Sequence, residues 1–226
     1  RRLGGMKQAR PLTIAGGRLV LPDGVREGAL RLVDGRIDSL GDIAPHDGDE
    51  VLETTGKLVA PGLVDYGVFA VDKPAFHFGG ITRAALMPDQ SPPLDLPSRV
   101  AYIAKSGKPG FWVHPLAAAT RGLEGTQLAE IALMCEAGAR GISTGRRWIA
   151  DTGVMLRLLH YAAMLDLTVV THAEDGALTG DAVATAGEMA TRFGLRSAPA
   201  DAEALALTRD IALAEMAGAR EHFRQV

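Results

Sequence analysis

Six short stretches carry the side chains that could do chemistry. They are Asp65 to Phe69, Met87 to Pro92, Thr120 to Gly125, Ser143 to Arg147, His172 to Asp175 and His222 to Val226. Imidazoles and carboxylates that converge on one point can bind a divalent metal or move a proton. Arg146 and Arg147, beside Trp148, can clamp an anion, because a guanidinium pairs with two oxygens of a carboxylate or phosphate at once. The competing reading of that trio is a surface cluster of ion pairs. Gly79-Gly80 fits no phosphate-loop or dinucleotide pattern.

Each stretch needs an element to hold it. Strands are expected at Leu63 to Asp65, Ile81 to Met87, Phe111 to Leu116, Gly141 to Ser143, Leu167 to Thr171 and Glu221 to Val226. Between them, Leu128, Ile131, Ala132 and Cys135 follow helical spacing, as do Met155, Leu158, Leu159 and Ala162. A longer helix is expected from near Pro199 to Ala217, with Gly218 as its stop. Alternating strands and helices imply parallel strands with helical crossovers. In such a barrel the functional residues sit at the C-terminal ends of the strands, where the six stretches fall. The chain before residue 61 reads differently. Short apolar runs are punctuated by Gly16-Gly17, Asp23-Gly24 and Asp34-Gly35. Asp-Gly between alternating runs is a hairpin signal, because a type I′ turn needs positive φ at both central residues. The expected organisation is a tag remnant at 1–5, a small β unit at 6–60 and a barrel at 61–226.

Composition narrows the class. The 226 residues are 47% hydrophobic and 23% charged, which excludes a disordered or collagen-like chain. Lys and Arg number 24 against 27 Asp and Glu, so a basic nucleic-acid binder is not expected. Nothing approaches the ~18 apolar residues of a membrane span. The single cysteine, Cys135, excludes an internal disulfide and suggests a reducing, cytoplasmic setting.

The motifs carry a resemblance. Ala60-Pro61-Gly62-Leu63-Val64-Asp65, a second strand ending Met87-Pro88, then Thr120-Arg121-Gly122-Leu123-Glu124-Gly125 and His172-Ala173-Glu174-Asp175-Gly176 come in the order of the long-chain dihydroorotases. These are cyclic amidohydrolases, and the resemblance covers the chain from about Leu12 onward. It implies a (β/α)8 TIM-type barrel carrying a small β-sandwich built from both chain ends. It also implies a metal, ordinarily zinc, whose bound hydroxide opens the cyclic amide of dihydroorotate.

The resemblance also marks departures. The family's His-x-His pair falls on Gly67 and Phe69, and its substrate-binding Arg on Val71, with Lys73 as a weaker substitute. The carboxylate or lysine ligand of strand four falls on Thr144. The second His of His-x-x-His on strand six falls on Gln225, and the substrate-contacting Asn of strand two on Asp89. His172 alone of the five placeable ligand positions keeps its type. One neutral imidazole does not hold a catalytic zinc, so His172 reads as a packed strand-end histidine, bonded to Asp175 or Thr144. Only ten positions separate Phe69 from Gly79, too few for the usual helical crossover, so Val71 to Phe78 is expected to be a loop. His77 is then the one further histidine near the mouth. His46, His114 and His160 have bland places in a loop, a strand and a helix.

The resulting expectation is a dihydroorotase-like protein of pyrimidine biosynthesis without a cofactor. Its role would be non-catalytic, as a structural partner of aspartate carbamoyltransferase, with a homodimer as the family default. The alternative is an active, zinc-bearing or atypical amidohydrolase that uses some of His172, Asp175, Asp89, Asp72, Lys73 and His77. Arg146 and Lys73 are the weaker substrate-binding candidates. A complete barrel takes ~250 residues, more than the chain offers after residue 60. About six strands are therefore expected, with strands seven and eight outside the sequence given.

Overall fold

A computed structural model describes residues 10–108 and 110–224. The stretch read as a tag remnant lies outside the described residues, and so does Gln225. The chain divides into two compact units, one ending at Gly62 and the other beginning at Leu63.

The first unit is one sheet. It contains β1 (Leu12–Leu21), β2 (Gly24–Val33), β3 (Arg36–Gly41), β4 (Glu50–Glu53) and β5 (Leu58–Val59). The order is β3-β2-β1-β4, with β5 also on β1. The Asp-Gly hairpin forms as expected between β2 and β3, where Asp34 and Gly35 both take positive φ, 50° and 74°. Where the resemblance implied a sandwich, the described strands supply a single layer. A fork anchors it: Arg31 Nε and Nη2 donate to Asp49 Oδ2 and Oδ1 at 2.8 and 3.1 Å, and Thr13 Oγ1 donates to Oδ2 at 2.7 Å. Those donors hold the Asp49 carboxyl far below the usual carboxylate range.

The second unit is α/β. Its elements run β6 (Leu63–Val68), α1 (Lys73–Phe78), β7 (Ile81–Leu86), α2 (Pro97–Lys105), β8 (Trp112–Pro115), β9 (Ala117–Ala118), α3 (Ile131–Glu136), β10 (Ile142–Ser143), α4 (Thr152–Met164), β11 (Thr168–Thr171), α5 (Gly176–Thr179), β12 (Ala184–Thr185), α6 (Glu188–Arg192), β13 (Ser197–Ala198), α7 (Asp201–Ala217) and β14 (Arg220–Phe223). Two parallel sheets, β6-β7-β8 and β9-β10-β11-β14, share one bent strand. Leu116, at the bend, donates to Leu86 on one side, and the next residue, Ala117, donates to Gly141 on the other. The result is six parallel barrel strands in sequence order. β12 and β13 form a separate small pair in the loop after α5.

Alternation along the strands sorts the side chains into two layers. Ala84, Leu86, Val113, Ile142 and Val169 face α2, α3, α4 and α7 in the main core. Ala85, Met87, Leu116 and Val170 face the other way and form a small inner cluster with Phe69. Burial on both faces explains why these strands read as nearly unbroken apolar runs.

Two expectations are corrected here. Residues 73–78 are a helix, not a loop. Asp72 caps it by accepting the Ala75 N–H at 3.1 Å, and Pro74 sits in its first turn. A crossover of under two helical turns therefore suffices between β6 and β7. α3 begins at Ile131, later than the spacing suggests, because Leu128 is held in a bridge to Thr120.

Candidate functional site

The strand ends gather the expected residues into two neighbouring groups. The first is built on Phe69, just past β6. The Arg146 guanidinium lies 3.8 Å from the Phe69 ring centroid, and that of Arg224, just past β14, lies 5.2 Å from it. Cations favour the negative face of an aromatic ring, more so where water is partly excluded. The Arg224 Nη2 and Nη1 also approach the Gly67 carbonyl and the Met87 sulfur, each at 3.5 Å. Gly67 makes this approach possible. Its φ is +138°, and a Cβ there would stand 3.1–3.3 Å from the guanidinium.

Asp89, expected to contact substrate, is partly committed elsewhere. Its Oδ1 accepts the Arg146 backbone N–H at 2.9 Å. A Cβ on Gly145 would come within 2.7 Å of the same oxygen, so glycine allows this loop to close on the carboxylate.

The second group lines a cavity of about 350 Å³ that contains Arg146, Arg147, Trp148, His172, Glu174 and Asp175. His172 Nε2 bonds to Glu174 at 2.9 Å, which corrects the expected partners Asp175 and Thr144. Asp175 is instead occupied in capping α5, accepting from Ala177 N–H. The ion-pair cluster foreseen for Arg146 and Arg147 does not form: neither pairs with a carboxylate among the described residues. The Trp148 indole N–H donates to Asp210 at 2.9 Å, beneath the Arg209 guanidinium.

Buried polar atoms stand without a partner at these ends, namely Asp89 Oδ2, Thr144 Oγ1 and His172 Nδ1. Buried polar groups are normally satisfied, so a water or a ligand atom is expected beside each.

Two candidates lie elsewhere. His77 bonds through Nε2 to the Gly110 carbonyl at 3.2 Å, ahead of β8. That is the N-terminal end of the strands, because α1 carries the chain back down before β7 begins. Lys73 opens the same helix and is exposed. Neither joins the groups described above.

Asp210 and Glu221 are residues that sequence reasoning passed over, and Arg224 was placed at a strand end without a role of its own. Asp210 is fully buried on α7, in line with Ala206 and Leu213, so a carboxylate at core spacing was a legible signal. Glu221 accepts from Thr171 Oγ1 at 2.9 Å. Burial, together with the nearby Asp210 charge, pushes its carboxyl up to about 7.

Among the described residues the donor set does not suit a divalent metal. Where the resemblance places imidazoles stand a glycine and a phenyl ring, and a permanent cation, Arg224, lies against that glycine. Among the described residues no three His, Cys, Asp or Glu side chains converge as a metal-binding group.

Parallel strands in sequence order, helices on one face and polar groups at the strand ends define an α/β barrel segment. Comparisons agree. The family described as dihydro-orotase-like matches residues 56–226. A dihydroorotase of Pelotomaculum thermopropionicum is 38% identical over 95% of this chain and 54% of its own length. A dihydroorotase-like protein of Pseudomonas putida is 33% identical over 95% of this chain and 55% of its own. An L-hydantoinase (dihydropyrimidinase) from Arthrobacter aurescens superposes with a TM-score of 0.77 at 22% identity, covering 95% of this chain and 52% of that one. The chain belongs to the dihydroorotase-like family, and it spans about half the length of the curated relatives it matches.

Proposed function

We propose that this chain is a dihydroorotase-like protein of pyrimidine biosynthesis that has given up catalysis and serves as a structural partner of aspartate carbamoyltransferase in the cytoplasm. One observation carries the non-catalytic reading. The Arg224 guanidinium lies against Gly67 and over Phe69, at the two places where the resemblance puts metal-binding imidazoles. A fixed positive charge there opposes a divalent cation at the same point. The partner follows from the resemblance, and a homodimer is its default assembly. No cofactor is part of this reading.

The test has two arms. Metal analysis of the purified protein, with an assay on dihydroorotate, should find neither stoichiometric zinc nor turnover. Zinc at one per chain together with hydrolysis sinks the non-catalytic reading. Co-purification should recover aspartate carbamoyltransferase, and a chain that runs alone at micromolar concentration removes the partner.

A second reading is an atypical amidohydrolase, with zinc or without it. The unpartnered Asp89 Oδ2 and His172 Nδ1 favour it, since both could meet a substrate. Under that reading His172→Ala abolishes a measurable dihydroorotase activity. Activity that survives the change removes it.

A further inference from the structure

We propose that Arg146 and Arg224, held over Phe69, form a binding site for a small carboxylate anion that works without a metal. The inference goes beyond the partner reading and does not need it, because it concerns the chain's own strand ends.

The site is assembled from three separate strand ends. Phe69 follows β6, Arg146 follows β10 and Arg224 follows β14. Two guanidiniums are brought over one ring. Each guanidinium remains a cation whose charge the ring offsets only in part. Neither group pairs with a carboxylate among the described residues. Asp89, the carboxylate on the adjoining loop, is held through Oδ1 by a backbone N–H. A carboxylate anion would balance the charge of this arrangement.

The local sequence fits that role. Gly67 provides the open backbone that Arg224 rests on, so the residue that removes an imidazole also admits a guanidinium. The contacts that Arg224 makes there, to a carbonyl and a thioether at 3.5 Å, are long and leave most of its N–H donors uncommitted. A guanidinium presents those donors as a planar fork that matches the two oxygens of a carboxylate.

The experiment is calorimetric titration of the purified protein with malonate at constant ionic strength. Dimethyl malonate serves as the uncharged control and inorganic phosphate as the tetrahedral one. One saturable malonate site is expected, with no response to the ester and weaker binding of phosphate. Arg146→Gln and Arg224→Gln should each weaken malonate by about tenfold or more. Arg147→Gln, on the same loop but not over the ring, should change it by less than about twofold. Arg224→Lys keeps the charge without the fork and should also weaken binding. That variant, with Arg146→Gln on an exposed loop, keeps the test open if Arg224→Gln fails to fold. Failure to saturate at tens of millimolar overturns the proposal. So does malonate binding that survives both glutamine variants. Phosphate bound as tightly as malonate and weakened equally by Arg147→Gln would mark a general basic patch and overturn it as well.

Discussion

Two arginine clusters, one in each unit, use the same side chain to opposite ends. In the first unit Arg31 closes a fork on Asp49, and Thr13 adds a third donor to the same carboxylate. The Asp49 side chain is 1% exposed there. At the strand ends of the second unit, Arg146 and Arg224 share an aromatic ring and pair with no carboxylate among the described residues. A cation matched by its own anion is structural, because removing either partner strands the other. A cation left unmatched over a ring contributes little to folding and stays available for a ligand. A third place, behind the barrel strands, has the reverse imbalance. Glu221 and Asp210 are two carboxyl groups near one another, and of the two Arg209 donates only to Asp210, its Nη1 going to the Ala150 carbonyl.

Breaking the closed fork should have the largest effect. Arg31→Met leaves the Asp49 carboxylate buried without its main partner, and the fall in urea midpoint should exceed that of every change below. The fork also sets an acid limit. The folded Asp49 carboxyl titrates well below its unfolded value, so its contribution is complete above that value and is lost as pH falls through the folded one. Acid unfolding followed by circular dichroism should shift to higher pH in Asp49→Asn, and an unchanged curve would deny the fork its structural part.

Gly67→His tests the open cluster from the other side. The new side chain must accept φ of +138° and displace the Arg224 guanidinium, so a loss of about 2–4 kcal/mol is expected in chemical denaturation. Metal analysis of Gly67→His with Phe69→His should find no tight zinc while Arg224 remains.

The carboxyl pair should show itself through pH. Glu221 titrates near 7 when folded and near 4.5 when unfolded, so the folded chain binds more protons between those values. Stability therefore falls as pH rises from about 4.5 to 7 and levels off above. Glu221→Gln should remove that slope and raise stability above pH 7 by roughly 1–3 kcal/mol, read from melting at several pH values. A slope unaltered by the variant would place the titration elsewhere.

The smallest effect should belong to Arg224→Met. If its guanidinium serves a ligand and not the fold, stability without ligand should change by less than about 1 kcal/mol. A loss as large as that of Arg31→Met would erase the contrast between the two clusters.

Much of this was legible in one dimension. Asp34-Gly35 announced its turn because few residue pairs tolerate positive φ twice. The apolar runs at 81–87 and 167–171 announced buried strands, and the motif order placed the family. The helix at 73–78 was legible too, through Asp72 as a cap and Pro74 in the first turn, but the count of positions argued against it. The partner of His172 was not legible, because local neighbours compete on rotamer and distance. Glu174 lies two residues away and reaches Nε2, while Asp175 is drawn off to cap α5.

By itself the sequence determined the α/β class, and it set a glycine and a phenylalanine at 67 and 69, where the resemblance implies imidazoles. It could name each substitution only as a loss. Only the tertiary structure decided what stands there instead, since Gly67, Phe69, Arg146 and Arg224 are separated by up to most of the unit's length and meet only when parallel strands align their ends. Guanidinium on ring, and guanidinium on bare backbone, are contacts of a few ångströms that spacing along the chain does not encode.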